Sequence, residues 1–534
     1  MSEQATIRFE PAGRTAMVPV GSTVSGAARL AGVEIDAPCG GLGRCGSCRV
    51  RAEGALEPPS LDEQELLGGA GIAAGMRLAC RARVAGDAIV HVPERAGAMR
   101  IVTAALERSL TVEPPAARGV HATGPAVGAA VDLGTTTVAV MLVDLGSGEV
   151  LAVAADTNAQ RAFGADVLSR VAHADASGGP ALRKAAVDQI ELLLGVALSR
   201  ADVPADRLAE MVVVGNTAMT GLLLGADVSM LGAAPYKGAP VAEARVPAYS
   251  LGLPAFASLD VLVPPGVSAF VGSDITAGML ATGLAERETP TLLMDLGTNG
   301  ELVLGHQGEL LAASTAAGPA LEGASISCGM RAEPGAIERV SLADGGLELG
   351  VIGEREPLGI CGSGLLDLIA VLLDVGVLDV GGRFAKGAPG PLGERMTERD
   401  GVRAFVVDAH ANIMLTQKDV RAVQLAIGAV RTGIELLLVE AGLAASGIES
   451  VLVAGGFGHH VRAESLVRLG LVPVAWHDRV VFAGNTALLG ARMYLANSAV
   501  RRQAGELAQR VRTIDLAVHP LFSQRFLASL TFPG

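Results

Sequence analysis

The run Ala129-Ala130-Val131-Asp132-Leu133-Gly134-Thr135-Thr136-Thr137-Val138-Ala139-Val140 is an apolar stretch, an Asp-x-Gly-Thr turn and a second apolar stretch. The same arrangement returns at Leu292-Leu293-Met294-Asp295-Leu296-Gly297-Thr298-Asn299-Gly300-Glu301-Leu302-Val303-Leu304. Each reads as strand, turn, strand. One Asp-x-Gly turn is ordinary hairpin chemistry. Two of them, far apart and both between apolar strands, are a more specific signal. Glycine lets the backbone approach a ligand closely. Threonine hydroxyls and turn amides donate to phosphate oxygens, and an aspartate is a hard ligand that reaches Mg²⁺ through water. A second pair repeats as well. Val214-Gly215-Asn216-Thr217-Ala218 and Ala483-Gly484-Asn485-Thr486-Ala487 each close an apolar strand and open a helix. The doubled elements predict a duplicated α/β architecture with a cleft between its halves.

Working outward, Val451-Leu452-Val453-Ala454-Gly455-Gly456-Phe457-Gly458 is a buried strand running into paired glycines, a turn on which an adenine and ribose can lie flat. Ile360-Cys361-Gly362-Ser363-Gly364 opens a helix expected at Leu365 and is the best candidate for a further phosphate contact. Within 126–534 neither a P-loop nor a G-x-G-x-x-G fingerprint is present. A long helix is expected from about Gln417 to Ala441, with Thr416 as N-cap, Asp419 at N3 and Gly442 as the stop. Its apolar stripe of Val423, Ile427, Val430, Ile434 and Leu437 reads as core packing. Asp274 is a conceivable base, but a surface-turn aspartate is the plainer reading. Adjacent His459 and His460 point apart on a loop without an evident third ligand, so no metal site is expected there.

Four of the six cysteines lie in the first 80 residues: Cys39, Cys45, Cys48 and Cys80, in the pattern C-x5-C-x2-C-x31-C. Three thiolates on one glycine-rich loop plus one distant thiolate is how a protein holds a [2Fe–2S] cluster. The glycines let the loop wrap the cluster. An all-thiolate zinc site is the alternative, but zinc ribbons prefer two paired C-x-x-C knuckles and only one is present. Strands at Ala5–Glu10, Thr15–Pro19, 48–51 and 88–92, with a helix at Thr23–Ala31, complete a small β-rich domain like the β-grasp ferredoxins. The first gap is one residue longer than the plant-type C-x4-C. Cys328 and Cys361 read as small buried apolar residues.

These readings divide the chain into a redox module at 1–95, a linker at 96–125 with a short helix expected at Val102–Ser109, and an α/β region at 126–534 whose halves are roughly 126–290 and 291–534. The linker serves either as a tether or as a contact surface, which leaves a homodimer among the expected assemblies. At about 150 residues per domain, 534 residues hold about three to four domains. Half of the residues are hydrophobic, only 3% are aromatic, and 69 are glycine, so the core must be aliphatic and tightly turned. A net charge of -13 argues against nucleic acid or an anionic membrane as partner. The mean hydropathy of +0.44 raises the membrane question. The charge-free stretch Met211–Ala226 contains Gly215, Asn216, Thr217 and Thr220 and falls short of the ~20 apolar residues a span needs. With Glu3, Arg8 and Glu10 in place of an apolar signal core, a cytoplasmic protein is expected.

The three nucleotide elements resemble the two phosphate motifs and the adenosine motif of the superfamily of actin, sugar kinases and heat-shock chaperone ATPases (ASKHA), over roughly 126–534. The resemblance implies a first phosphate loop of Asp132, Gly134, Thr135 and Thr136, and a second of Asp295, Gly297, Thr298 and Asn299. Gly455 and Gly456 would hold the adenosine, with Gly362, Ser363 and Gly364 as further contacts, and Mg²⁺ and ATP as the implied ligands. A [2Fe–2S] ferredoxin fused to such an ATPase resembles the reductive activators of corrinoid methyltransferase proteins. Asn158-Ala159-Gln160, Phe163-Gly164-Ala165-Asp166-Val167, Gly272-Ser273-Asp274 and Thr416-Gln417-Lys418-Asp419 support it. The resemblance implies ATP-dependent one-electron reduction of Co(II) to Co(I) in a corrinoid protein, through a cluster reloaded by a low-potential donor. The alternative is a small-molecule kinase carrying a ferredoxin as redox sensor.

Overall fold

The computed structural model describes residues 4–33, 35, 48–92, 112, 126–233, 236, 241–257, 259–323, 325–343, 346–388, 390–456 and 461–534. Cys39, Cys45, the expected linker helix at Val102–Ser109 and His459-His460 lie outside the described residues. By its contacts the chain divides into two units, one of residues 1–97 with 159–178 and the other of 98–158 with 179–534.

In the first unit, strands Gln4–Glu10 and Arg14–Pro19 form a hairpin around the expected turn at 11–13. A five-stranded sheet follows in the order Arg14–Pro19, Gln4–Glu10, Val84–His91, Arg49–Leu56, Met76–Leu78, with a parallel pair Gln4–Glu10/Val84–His91 at its centre. This is the expected β-grasp sheet. Alternation puts Ala5, Ile7 and Phe9 on the buried face, where Val24, Ala27 and Ala28 of helix Val24–Leu30 meet them. Below the sheet a buried ion pair ties helix Leu61–Ala73 to strand Met76–Leu78. Arg77 donates from Nε and Nη2 to the two oxygens of Glu63 at 2.9 and 3.1 Å. The amides of Ser60 and Leu78 donate to Glu63 as well. Burial works against the Glu63 charge, but these donors outweigh it and hold the carboxyl below its usual range.

The segment Ala159–Gly178, which the sequence reading left inside the α/β region, groups with the first unit. Its helix Val167–His173 opens on Asp166 in a capping box with Ser169. Buried Arg170 ties the segment to itself by donating to the carbonyl of Gly164 at 3.0 Å and to Gln160 Oε1 at 3.3 Å.

The second unit contains two six-stranded sheets built on one plan. In the first, the hairpin Val127–Leu133/Thr137–Asp144 continues antiparallel to Val150–Thr157 and parallel, on its other side, to Leu208–Val214 and then Asp260–Val263. In the second, Thr291–Leu296/Gly300–His306 continues antiparallel to Glu309–Thr315 and parallel to Ser450–Ala454 and then Val480–Gly484. The duplication expected from the repeated turns is therefore a duplication of strand order. The helices that follow the cleft-side strand ends lock the two sheets together. Helix Thr486–Ala496 crosses helix Ser273–Thr282 at a contact of small residues, where a Cβ on Gly490 would lie 2.0 Å from the carbonyl oxygen of Ala277. Leu495 of the same helix fills the space above Gly128 of the first sheet.

The long helix runs from Gln417 to Glu440 with a complete capping box between Thr416 and Asp419. It is long and apolar enough to cross a membrane, but 72% of that apolar window is buried inside the protein. Val423, Ile427, Val430, Ile434 and Leu437, the stripe read from sequence, all lie in the core, each contributing about 1.5–3 kcal/mol.

The helix crossing yields a paired prediction. Gly490→Ala should destabilise the second unit by about 1–3 kcal/mol or more, since the added methyl meets backbone rather than a side chain that can turn away. Gly505→Ala, in helix Ser498–Arg510 with open space where the methyl would go, should stabilise by about 0.5–1 kcal/mol through helix propensity. Thermal melts of the two variants check both signs.

Candidate functional site

The first Asp-x-Gly-Thr turn is fixed by three asparagines. Asn158 donates from its side chain to the carbonyl of Gly134 at 2.7 Å and from its backbone to the carbonyl of Thr136 at 2.9 Å. Asn216 donates to Thr135 Oγ1 at 2.8 Å and caps helix Thr217–Leu224 by accepting from the amide of Met219. Its counterpart Asn485 caps helix Thr486–Ala496 in the same way and donates to Asp132 Oδ2 at 2.7 Å. The repeated Gly-Asn-Thr motif thus has a physical role: each asparagine ends a strand, starts a helix and steadies the first turn. Ser273 closes the set through its backbone N–H and its hydroxyl, both bonded to Gly215.

The two turns meet face to face. The hydroxyls of Thr136 and Thr298 stand 3.0 Å apart, and both donate to Glu322 Oε2, at 2.7 and 3.0 Å. Around them lies a cavity of about 280 Å³. Its wall carries Asp132, Gly134, Thr135 and Thr136 from the first turn and Asp295, Gly297, Thr298 and Asn299 from the second. Gly362 and Ser363 line it at the start of helix Gly362–Asp374, and Gly455 and Gly456 line it at the end of strand Ser450–Ala454. Gly455 adopts φ +89°, and a Cβ there would sit 2.6 Å from Asp295 Oδ1, so only glycine fits against the second aspartate.

Three expectations change. The helix begins at Gly362, not at Leu365. Gly364 is not among the lining residues; a Cβ there would lie 2.2 Å from the carbonyl oxygen of Ile337, so this glycine lets the helix press against strand Ala336–Ala343. Asp274 is no surface-turn residue. It sits in the first turn of helix Ser273–Thr282 and faces the cavity, and its partial exposure is to the cavity itself. Cys361, read as inert core, is buried but also borders the cavity. Three charged lining residues have no role in the sequence patterns. Glu301 is the one acidic residue of strand Gly300–His306. Glu322 and Arg331 fall in irregular chain with no motif of their own.

The cavity is strongly acidic. Burial pushes Asp132 up to about 6, against the stabilising bond from Asn485. Burial and the charges of Asp132 and Glu322 push Asp295 to about 7. Burial, then Asp295 and Asp132, push Asp274 to about 8. Glu301 is raised well above its usual range by burial and by the charges of Asp274 and Asp295. Carboxylates that hold one another protonated want a cation. Among the described residues no three acidic or His/Cys side chains stand close enough to cage a metal directly.

In the first unit, Cys48 and Cys80 bring their sulfurs to 3.2 Å, both buried. The amide of Ala79 donates to the carbonyl of Cys48 at 2.9 Å and holds the two strand ends together. The sulfur separation exceeds a disulfide's ~2.05 Å. Two thiolates on one tetrahedral metal with bonds of about 2.3 Å stand ~3.8 Å apart, so sharing a metal would require the two sulfurs to separate by about 0.6 Å.

A pH dependence follows from the acidic cavity. Asp274 has a raised folded-state pKa, so between about 4 and 8 the folded protein binds this proton more tightly than the unfolded chain. Stability of the nucleotide-free protein should fall as pH rises through that window and level off above it. Asp274→Asn should flatten the slope and raise the melting temperature at pH 8 by a few degrees, read by thermal melts from pH 5 to 9.

Family models match in chain order. Residues 7–85 match the 2Fe-2S iron-sulfur cluster binding domain, 127–287 match the RACo middle region, and 289–534 match the C-terminal domain of RACo, the ASKHA domain. The corrinoid activation enzyme RamQ of Eubacterium limosum is 35% identical over 76% of this chain and 70% of its own length. A [Co(II) methylated amine-specific corrinoid protein] reductase of Methanosarcina barkeri is 28% identical over 76% of this chain and 77% of its own. The solved structure of a reductive activator for a corrinoid, iron-sulfur protein superposes with a TM-score of 0.73 at 30% identity, covering 99% of this chain and 98% of that one. With ferredoxin sheet, duplicated cleft and relatives in agreement along its length, the chain belongs to the family of reductive activators of corrinoid proteins.

Proposed function

We propose that this protein returns a corrinoid protein from inactive Co(II) to Co(I), delivering one electron per event while ATP is hydrolysed in the acidic cavity. The observation that carries the reading is the meeting of the two turns, with Thr136 and Thr298 3.0 Å apart, in a chain that also brings Cys48 and Cys80 to 3.2 Å. Cys39, Cys45, Cys48 and Cys80 hold the [2Fe–2S] cluster, which supplies one-electron chemistry when bound. A low-potential donor reloads it. The reaction belongs to the cytoplasm.

Each group of the cavity has a task in this scheme. The hydroxyls of Thr136 and Thr298, now given to Glu322, turn to phosphate oxygens when a nucleotide enters. Asp132, oriented by Asn485, and Asp295, wedged against Gly455, would hold Mg²⁺, which would supply charge neutralisation at the phosphates. Asp274, pushed up to about 8, would take a proton from the attacking water in its ionised form, a fraction that grows as pH rises. ATP is needed because the electron runs uphill. Plant-type clusters sit near about −400 mV, Co(I) is a stronger reductant, and each ~59 mV of mismatch is a factor of ten for one electron. A nucleotide can drive this only through different affinities of the ATP and ADP states for the Co(II) partner.

The decisive assay is phosphate release with and without purified Co(II) corrinoid protein, run beside the Co(I) absorbance. Stimulated ATPase with Co(I) formation is expected; Co(I) appearing at the same rate without ATP would sink the coupling. Cys48→Ser should abolish cluster absorbance and Co(I) formation while leaving ATP binding intact. A small-molecule kinase would also use Asp274 as base, but it would transfer phosphate to an acceptor in place of releasing it, and the same assay separates the two.

A further inference from the structure

Among the described residues the cavity wall carries five carboxylates, Asp132, Asp274, Asp295, Glu301 and Glu322, and one cationic side chain, Arg331. Arg331 is half-buried, and its Nη2 is fully buried with no hydrogen-bond partner among the described residues. A guanidinium has five donors and no way to lose its charge, so a buried N–H left unmade is costly. With carboxylates in the same wall, the absence of a pair is notable. The backbone does not let the arginine drift to find one. Just before it, the amide of Met330 donates to the carbonyl of Ile360 at 2.8 Å, and Cys328 accepts from the amide of Ile360 at 2.9 Å. Ser327 is pinned to Asp419 by its amide and hydroxyl at 2.8 and 2.6 Å. Just after it, the amide of Glu333 donates to the carbonyl of Arg331 itself at 2.8 Å.

We propose that Arg331 binds the β- or γ-phosphate of the nucleotide, its buried Nη2 donating to a phosphate oxygen. The assignment rests on the nucleotide reading of the cavity and deepens it. The chemistry fits from both sides. The wall is acidic and a polyphosphate is an anion, so Mg²⁺ neutralises carboxylates and Arg331 meets the phosphate directly. Guanidinium forks match phosphate geometry better than any other side chain. A stacking role against the adenine would leave the buried N–H still unmade, which is why the phosphate is preferred. The Thr416-Gln417-Lys418-Asp419 motif acquires a use here too, because the capping aspartate of the long helix also holds the segment that presents Arg331.

The test is titration calorimetry of the cluster-loaded protein with Mg-ATP, Mg-ADP, AMP and adenosine, in wild type, Arg331→Met and Arg331→Lys. Arg331→Met should weaken ATP and ADP on the order of 10- to 100-fold and leave AMP and adenosine within about twofold, with Arg331→Lys in between. The nucleotide-free melting temperature should not drop in Arg331→Met, because the arginine gives up no bond in that state; a purely structural arginine would lower it. Equal weakening of all four ligands, or none, overturns the assignment while leaving nucleotide binding in place. If the wild type binds no adenine nucleotide, the reading of the cavity falls as well. Should Arg331→Met fail to fold, Arg331→Lys decides by the same ratio of ATP to AMP loss.

Discussion

Close backbone approach is the constraint on which the second unit depends. A Cβ at Gly134 would lie 2.7 Å from the carbonyl oxygen of Thr137, at Gly215 2.7 Å from that of Leu133, and at Gly272 2.5 Å from Asn216. None of these neighbours is a side chain that can swing away. Remove the glycines and the strand ends separate, the asparagine caps lose register, and the two threonine hydroxyls no longer face each other. The same rule applies at the crossing of helices Ser273–Thr282 and Thr486–Ala496, where Gly490 meets backbone. Protein interiors transmit such misfits because they are close-packed. Of these contacts, that of Gly490 with the backbone of Ala277 is the one that joins the two halves.

Charge explains why the cavity is more than a gap between sheets. Without a ligand it concentrates acidic groups that raise one another's pKa values, and the two threonines are occupied by Glu322. This is a strained resting state in the electrostatic sense. Under the proposed function, a metal–nucleotide pair would replace repulsion with attraction and free the hydroxyls for phosphate. A ligand can shift a conformational equilibrium only by its differential affinity for the two states.

The ferredoxin unit follows a different logic. Its sheet is held by ordinary alternation, and the buried Glu63–Arg77 pair fixes strand Met76–Leu78 two residues ahead of Cys80. Removing one partner of such a pair leaves an uncompensated buried charge, which is far more costly than the pair is stabilising. The position of the distant cysteine is thus set by a carboxylate that the cysteine pattern gives no hint of.

From sequence alone came whatever is written in local order. The repeated Asp-x-Gly-Thr turns, the repeated Gly-Asn-Thr caps, the helix at 417–440 and the spacing of the cysteines are short-range patterns, and hydrophobic period and turn chemistry suffice to read them. The tertiary structure decided what depends on distant chain coming together. It turned Asp274 from a surface turn into the cavity, moved Gly364 from ligand contact to helix packing, and grouped Ala159–Gly178 with the ferredoxin. It also brought Glu301, Glu322 and Arg331 to the wall. Those side chains carry no motif because their neighbours in space lie far from them along the chain. Burial and electrostatic coupling arise only once the two sheets have closed around them.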